Sequence, residues 1–188
     1  MSNWQKIMGA RRRKSKKRSN TNADFKRQLK RTIFFLDRSL CGNVVIEALR
    51  KTGAKVEPHW TRFRHDTEDV EWLAVVGEKK WVVLMGDKAI GRRALELEAL
   101  LEAKVKAFVL TRGGLSAAEQ SKMLTDALPQ MLRMVEETRY PFLAKIYMDG
   151  SVAIWKTEPK LQKGRQSKRR YRPLKENDGD TEQDVVEH

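Results

Sequence analysis

The sequence predicts an α/β domain in which helices flank a mostly parallel central sheet. Short β-branched and aromatic runs alternate with segments of helical periodicity through most of residues 32–156. Strands and helices in this order form parallel sheets with helices on both faces. Near the end, apolar residues alternate on both sides of Asp149-Gly150, which predicts an antiparallel hairpin with a tight primed turn.

The first half of this domain contains three predicted strands and two helices. The strands are residues 32–37 (TIFFLD), 54–57 and 81–87 (WVVLMGD). The first helix, NVVIEALRKTG, ends at Gly53 and places on its core face Val44, Val45, Ala48 and Leu49. The second begins in the acidic segment from Asp66, because carboxylates favour helix N-termini, and its core face holds Val70, Leu73 and Ala74.

The second half continues the alternation. A helix over residues 94–103 precedes a buried strand over residues 106–111. Ser116 with Glu119 three positions later forms a capping box, which predicts a long helix to about Glu137. Trp72, Trp81 and Trp155 alternate with apolar neighbours and are interpreted as core residues.

The net charge of +14 belongs to the ends of the chain. Residues 1–31 hold 12 Lys/Arg against Asp24, a net +11, and residues 32–155 are nearly neutral at +1. Residues 156–175 carry +8, and residues 176–188 carry −6. We therefore predict a disordered basic tail over 1–31, a domain over 32–156, and a basic-then-acidic tail over 157–188.

Cysteine and hydropathy indicate a cytoplasmic protein without a membrane partner. Cys41 is the one cysteine, so no intramolecular disulfide can form. No apolar stretch approaches the ~20 residues needed to span a bilayer. The basic N-terminus also lacks the apolar run of a signal peptide.

Three aspartates are the candidate catalytic and metal-binding residues. Asp37 and Asp87 follow two predicted strands, and Asp69 belongs to the acidic cluster DTEDVE between them. The carboxyl ends of parallel strands share one crevice, so these side chains can converge there. Converging carboxylates repel unless a cation binds, and oxygen ligands suit Mg²⁺ or Mn²⁺. The alternative interpretation is that they are turn formers and helix caps.

Other polar residues around the crevice have both a functional and a structural interpretation. Contact with a phosphate and simple solvation remain open for Lys88, Arg92 and Arg93, and Thr111 and Arg112 are either crevice residues or loop residues only. His59 and His65 have no second partner at metal-ligand spacing and are interpreted as packing or surface residues.

The segments FFLDRSL, DTEDVEWLAVVGEKKWVVLMGDK and KAFVLTRGGLS resemble the PIN-like domain family, which includes the VapC-type toxin ribonucleases. The hairpin FLAKIYMDGSV resembles the end of a compact subgroup of that family. The resemblance implies an Mg²⁺- or Mn²⁺-dependent endoribonuclease whose ligands are Asp37, Asp69 and Asp87. The family also carries a further acid on a helix in an insertion that this chain lacks, and Glu47 and Asp66 are the candidates to replace it.

Three classes of function follow, and the sequence leaves all of them open, the third being a protein-interaction element that binds, for instance, an antitoxin-like partner or the ribosome. The first is a metal-dependent endoribonuclease, such as the toxin of a toxin-antitoxin pair, that binds RNA through the crevice and the basic tails. The second is a non-catalytic nucleic-acid-binding protein with a degenerate PIN-like core. An antitoxin protein and a second copy of the chain are the further partners it leaves open.

Overall fold

The computed structural model describes residues 22–40, 42–86, 94–138 and 141–157. A six-stranded sheet has the order β2-β1-β3-β4-β5-β6, with every pair parallel except β5 and β6. The strands are β1 (Ile33–Leu36), β2 (Lys55–Pro58), β3 (Val82–Met85), β4 (Lys106–Leu110), β5 (Phe142–Ile146) and β6 (Val152–Thr157). The predicted mixed α/β architecture and C-terminal hairpin are confirmed.

In the described parts of the chain, five α-helices flank the sheet. They are α1 (residues 22–31), α2 (Asn43–Lys51), α3 (Asp69–Glu78), α4 (Ala94–Glu102) and α5 (Ala117–Glu137). Helices α1, α2 and α5 pack against the strand face that includes Phe34 and Leu36, and α3 and α4 pack against the face that includes Phe35. Successive β1 side chains thus enter opposite cores, so this strand is apolar throughout.

Helix α1 lies within the predicted N-terminal tail. Leu29 is buried, and Phe25 packs against the same core, so residues 22–31 belong to the folded domain. Their apolar residues recur at helical spacing, and a short amphipathic helix can gain stability from packing one face. The more basic part of that tail, like residues 158–188 and Cys41, lies outside the described residues.

Two predicted helix faces are wrong by a fraction of a turn. In α2 the buried residues are Val45, Ile46 and Leu49, while Val44 is 55% exposed. In α3 they are Trp72, Leu73 and Val76, whereas Val70 and Ala74 are exposed. Burying the large Trp72 ring removes more apolar area from water than burying Val70 or Ala74 would, and that difference rotates the α3 core face.

The predicted primed hairpin turn is also wrong. Tyr147 and Ser151 close a three-residue loop, since Tyr147 N–H donates to Ser151 O at 2.9 Å and Gly150 N–H donates to Tyr147 O at 2.9 Å. Only Gly150 in this loop has a positive φ, at 77°. A primed type I turn needs positive φ at both central residues, so the loop is instead a type I turn followed by a left-handed glycine.

The capping box at the start of α5 is confirmed. Ser116 Oγ accepts from Glu119 N–H, and the Glu119 carboxylate accepts from Ser116 N–H at 2.8 Å. Of the predicted core tryptophans, Trp72 is fully buried, but Trp81 and Trp155 are only partly buried. Within the described residues, no helix is long and apolar enough to cross a membrane.

Candidate active site at the carboxyl edge

We call the side of the sheet where β1, β3, β4 and β5 end the carboxyl edge. Asp37 follows β1 directly, and its N–H donates to Leu84 O of β3 at 2.9 Å. This bond continues the β1–β3 ladder by one residue and fixes the backbone from which the carboxylate projects. The Asp37 side chain is 15% exposed, so it is held at the rim and still open to solvent.

Asp69 reaches the same edge from the first turn of α3. Its Oδ1 accepts from Trp72 Nε1 at 2.9 Å and from Arg38 Nη2 at 2.7 Å. Trp72 is fully buried and lies one helical turn later, so this hydrogen bond anchors the carboxylate to the core. The Asp69 side chain is 26% exposed.

Arg38 is the residue that joins the two acids. Its Nε lies 4.0 Å from Asp37 Oδ1, and its Nη2 forms the ion pair with Asp69. Its Nη1 also donates to the His65 carbonyl oxygen at 2.6 Å. The structure thus brings Asp37 and Asp69 together around one guanidinium, which offsets their repulsion. Sequence reasoning missed Arg38, although its position directly after Asp37 was a usable signal.

Ser39 connects β1 to the end of β3. Its Oγ donates to Asp37 Oδ2 at 2.7 Å and accepts from Gly86 N–H at 2.8 Å. Its own N–H also donates to Asp37 Oδ2, at 3.3 Å. The Ser39 hydroxyl therefore orients Asp37 and also binds Gly86, the residue that follows β3. Sequence reasoning did not identify Ser39 either.

Asp87, the third predicted ligand, lies outside the described residues, as do Lys88, Arg92 and Arg93. Within the described ranges, no group of three or more His, Cys, Asp or Glu side chains is placed to hold a metal ion. Asp37 and Asp69 supply some of the ligands that a cation site needs. Both are carboxylates, the donors that Mg²⁺ and Mn²⁺ prefer, and together they already surround one positive charge.

His59 lies in the 3-10 turn after β2, within an aromatic cluster next to this site. Its ring centre is 5.4 Å from that of Phe63, 6.0 Å from Phe35 and 6.1 Å from Trp72. The ring is 1% exposed, and Nε2 has no hydrogen-bond partner among the residues described. Burial, and then the Arg38 charge, lower the pKa of His59 below its usual 6.5. His59 is therefore a neutral packing residue, as the sequence indicated.

The remaining candidates take simpler roles. Asp66 is exposed and pairs with Arg64, and Glu47 is exposed on α2, so neither makes a described contact with the Arg38 pair. Thr111 Oγ1 donates to Ile146 O at 2.9 Å, which ties β4 to β5, and Arg112 is exposed.

Two aromatic residues on this edge were not identified from the sequence. Trp60, just after β2, is 52% exposed, and Tyr147, just after β5, is 40% exposed. Exposed aromatic rings can stack on unpaired nucleic-acid bases. Their positions in flanking turns, outside the apolar runs, were the available signal.

Residues 32–112 match the family model described as a PIN-like domain. The matched segment contains β1 to β4 and all three aspartates that the sequence identified. No curated protein and no solved structure matches the chain. PIN-like domains have a fold of nuclease type, and the Asp37–Arg38–Asp69 cluster lies inside the match. The chain therefore carries a PIN-like domain over residues 32–112.

Proposed function

We propose that this protein is a metal-dependent endoribonuclease whose active site is the carboxyl edge. The observation that carries the proposal is that Asp37 and Asp69, from separate elements of a PIN-like domain, meet around one positive charge. Asp87, in the matched segment directly after Gly86, is proposed as the third carboxylate. A bound Mg²⁺ or Mn²⁺ would lower the pKa of a water and neutralise charge developing on the phosphate.

The chain's own groups have distinct proposed tasks. Ser39 orients the Asp37 carboxylate, and Trp72 Nε1–H orients that of Asp69. Arg38 holds the two acids near each other without a metal and is placed to contact a phosphate oxygen if the ion pair opens. Trp60 and Tyr147 supply stacking surfaces for unpaired bases on the same edge.

RNA is proposed as the substrate because of the resemblance to toxin ribonucleases and because of the basic chain ends. Residues 1–31 carry +11 and residues 156–175 carry +8, which favours a polyanion. A role as the toxin of a toxin-antitoxin pair, with an antitoxin as partner, stays a prediction, as does a homodimer.

A second candidate is a nucleic-acid-binding protein that does not cleave. It is favoured by the Arg38 ion pair, because a guanidinium already neutralises the acids that would attract the metal. Cleavage separates the two candidates, since the second needs binding alone.

The test is cleavage of a fluorescent single-stranded RNA with Mg²⁺, with Mn²⁺ or with EDTA. We expect cleavage only with a divalent ion. Asp37→Asn and Asp69→Asn should each reduce the rate on the order of a hundredfold or more, because the loss of a charged ligand removes several kcal/mol of transition-state stabilisation.

Asp126→Asn is the matched control, since Asp126 is an exposed aspartate on α5 that pairs with Lys122. It should cleave at the wild-type rate, and far-UV circular dichroism should show all variants folded. Cleavage in EDTA, or wild-type rates in both Asp37→Asn and Asp69→Asn, would contradict the metal mechanism.

A further inference from the structure

The opposite side of the sheet, where β1 to β4 begin, carries a row of basic side chains that the proposed nuclease site does not use. Lys55 begins β2, and Arg31 ends α1 two residues before β1. Lys80 and Lys104 each lie two residues before β3 and β4. In the strand register, Ile33 of β1 pairs with Lys55 of β2. Val82 of β3 pairs with Phe34 of β1 and with Lys106 of β4, so the four strands start at the same level. We call these four cations the lysine edge.

Neighbouring strands lie roughly 4.8 Å apart, so the starts of four adjacent strands span about 15 Å. The order β2-β1-β3-β4 gives the row Lys55, Arg31, Lys80 and Lys104. All four residues are exposed. Lys106 is not part of this surface, because its side chain is buried and its Nζ donates to the Val135 carbonyl.

Two of these lysines have an unusual backbone conformation. Lys80 has φ 55° and Lys104 has φ 52°, and no other described non-glycine residue has a positive φ. Each closes a helix, since Lys80 N–H donates to Gly77 O and Lys104 N–H donates to Leu101 O. Gly53 takes the corresponding place before β2, with φ 90°. Lysine is disfavoured in this left-handed region, which glycine and asparagine adopt more readily.

Close packing of two helix ends holds Lys80 and Lys104 beside each other. A Cβ on Gly77 would lie 2.0 Å from the Ala103 carbonyl oxygen, so the end of α3 touches the end of α4 there. Gly77 and Ala103 stand three and one residues before the two lysines. This contact thus fixes the backbone segments that carry the two lysines.

The three lysines of the lysine edge are not paired with an acid among the residues described, although glutamates lie near them. Lys55, Lys80 and Lys104 form no ion pair with any described residue. Glu78 and Glu102 end α3 and α4 at the same level, and Glu136, near the end of α5, lines a groove with Arg31. Lys51 and Lys79 add further positive charge. Lysines at helix C-termini also complement the helix dipole, so the experiment must separate that structural benefit from binding.

The end of α1 and the end of β6 lie at this edge, and both are near basic segments in the sequence. The N-terminal segment, with +11 over residues 1–31, leads through α1 into β1. Thr157, at the end of β6, pairs with Phe142 at the start of β5, and residues 158–175 then carry eight Lys/Arg against Glu158. The lysine edge is therefore continuous in sequence with most of the protein's excess positive charge.

We propose that the lysine edge binds the sugar-phosphate backbone of a nucleic acid, at a site separate from the carboxyl edge. Among the described residues, the two most exposed aromatic rings, Trp60 and Tyr147, are both on the carboxyl edge, and Trp81 beside Lys80 is partly buried. Charges without stacking or base-reading groups bind phosphates regardless of sequence. The site is independent of the proposed cleavage and retains the nucleic acid whether or not the carboxylates are catalytic.

The test measures binding of a fluorescein-labelled, mixed-sequence RNA to the full chain by anisotropy, in EDTA and over a range of salt concentrations. The edge variant is Lys55→Gln/Lys80→Asn/Lys104→Asn. Three lost phosphate contacts should reduce the slope of log affinity against log salt by about 2, at about 0.7 per contact on a single strand. Affinity should fall on the order of tenfold or more near 0.15 M salt.

The control variant Arg62→Gln/Arg64→Gln/Lys122→Gln removes the same charge from exposed positions elsewhere, each of which already pairs with an acid. We expect it to keep the wild-type slope. The unfolding midpoint of the edge variant should be unchanged or higher, because asparagine relieves the left-handed lysines. Equal losses in both variants would mean that total charge matters and not this edge. An unchanged slope in the edge variant would also overturn the proposal, and would leave an acidic protein segment as the alternative ligand.

Discussion

The carboxyl edge and the lysine edge are the two ends of the same strands, yet they carry opposite charges and differ in how their side chains are paired. At the carboxyl edge, Asp37 and Asp69 are oriented by hydrogen bonds and neutralised by Arg38. At the lysine edge, exposed lysines lack ion pairs with the described residues, and two have strained backbones. Helix dipoles favour this polarity, since α2 to α5 begin at the first edge and end at the second.

This comparison distinguishes a site whose side chains are held in fixed positions from a surface that attracts phosphates by charge. Hydrogen bonds fix the carboxylates to the core and to the strand ends, as a site that must position a cation and a phosphate requires. The lysines are positioned only by their backbone, which suffices for phosphates that are read as charge.

Packing at the lysine edge should give the largest stability difference between the two edges. Gly77→Ala should cost about 2–3 kcal/mol or more, because the new Cβ would overlap a backbone carbonyl that cannot move alone. Gly86→Ala, at the carboxyl edge, should cost about 1 kcal/mol, since its Cβ would lie 3.2 Å from the movable end of the Leu40 side chain and from Ser39 O. Urea unfolding measures both. A smaller loss for Gly77→Ala than for Gly86→Ala would contradict the close contact between α3 and α4.

Arg38→Gln tests whether the guanidinium stands in for a metal ion. Without metal, the variant should lose about 1 kcal/mol, because Asp37 and Asp69 lose their shared cation at a partly exposed site. With Mn²⁺, its midpoint should rise more than that of the wild type, because the ion no longer competes with Arg38. Arg64→Gln, which removes an exposed pair with Asp66, is the control. A weaker Mn²⁺ response in Arg38→Gln would show that Arg38 assists metal binding.

His59 should give a smaller, pH-dependent effect beside the carboxyl edge. Burial lowers its pKa in the folded state, so the unfolded chain binds a proton more readily. Stability should therefore fall as the pH drops below about 6.5. His59→Phe should flatten the dependence of the urea midpoint on pH between about 5 and 6.5, whereas His65→Gln, at an exposed histidine, should retain it. An unchanged slope in His59→Phe would mean that other groups set the dependence.

The sequence predicted the fold well because its signals were local. The apolar runs of β1, β3 and β4 and the capping box at Ser116 depend on near neighbours in the chain, and each was found in the structure. The core face of α3 was missed because Trp72 is selected by contacts with Phe35 from another element. The hairpin loop was missed because Asp149-Gly150 is compatible with more than one turn type.

The candidate site was predicted only in part, for the same reason. Asp37 and Asp69 were identified because strand ends and helix starts can be located from sequence. Arg38 and Ser39 act through partners about 30 and 47 residues away, at Asp69 and Gly86. Such partners are set by the packing of α3 and β3 against β1, which periodicity does not encode. The proposed ligation by Asp87 stays a prediction.

The central claim is that the carboxyl edge holds a divalent cation, and the most direct test is the effect of Mn²⁺ on unfolding. The measurement compares wild type, Asp37→Asn and the control Asp126→Asn with and without the ion. Wild type and Asp126→Asn should be stabilised by about 2.7 kcal/mol at a hundredfold excess of Mn²⁺ over its Kd. Asp37→Asn should respond little, because the amide keeps the shape of the carboxylate but loses its charge. Equal Mn²⁺ responses in all three proteins would show that the aspartate holds the fold and not an ion.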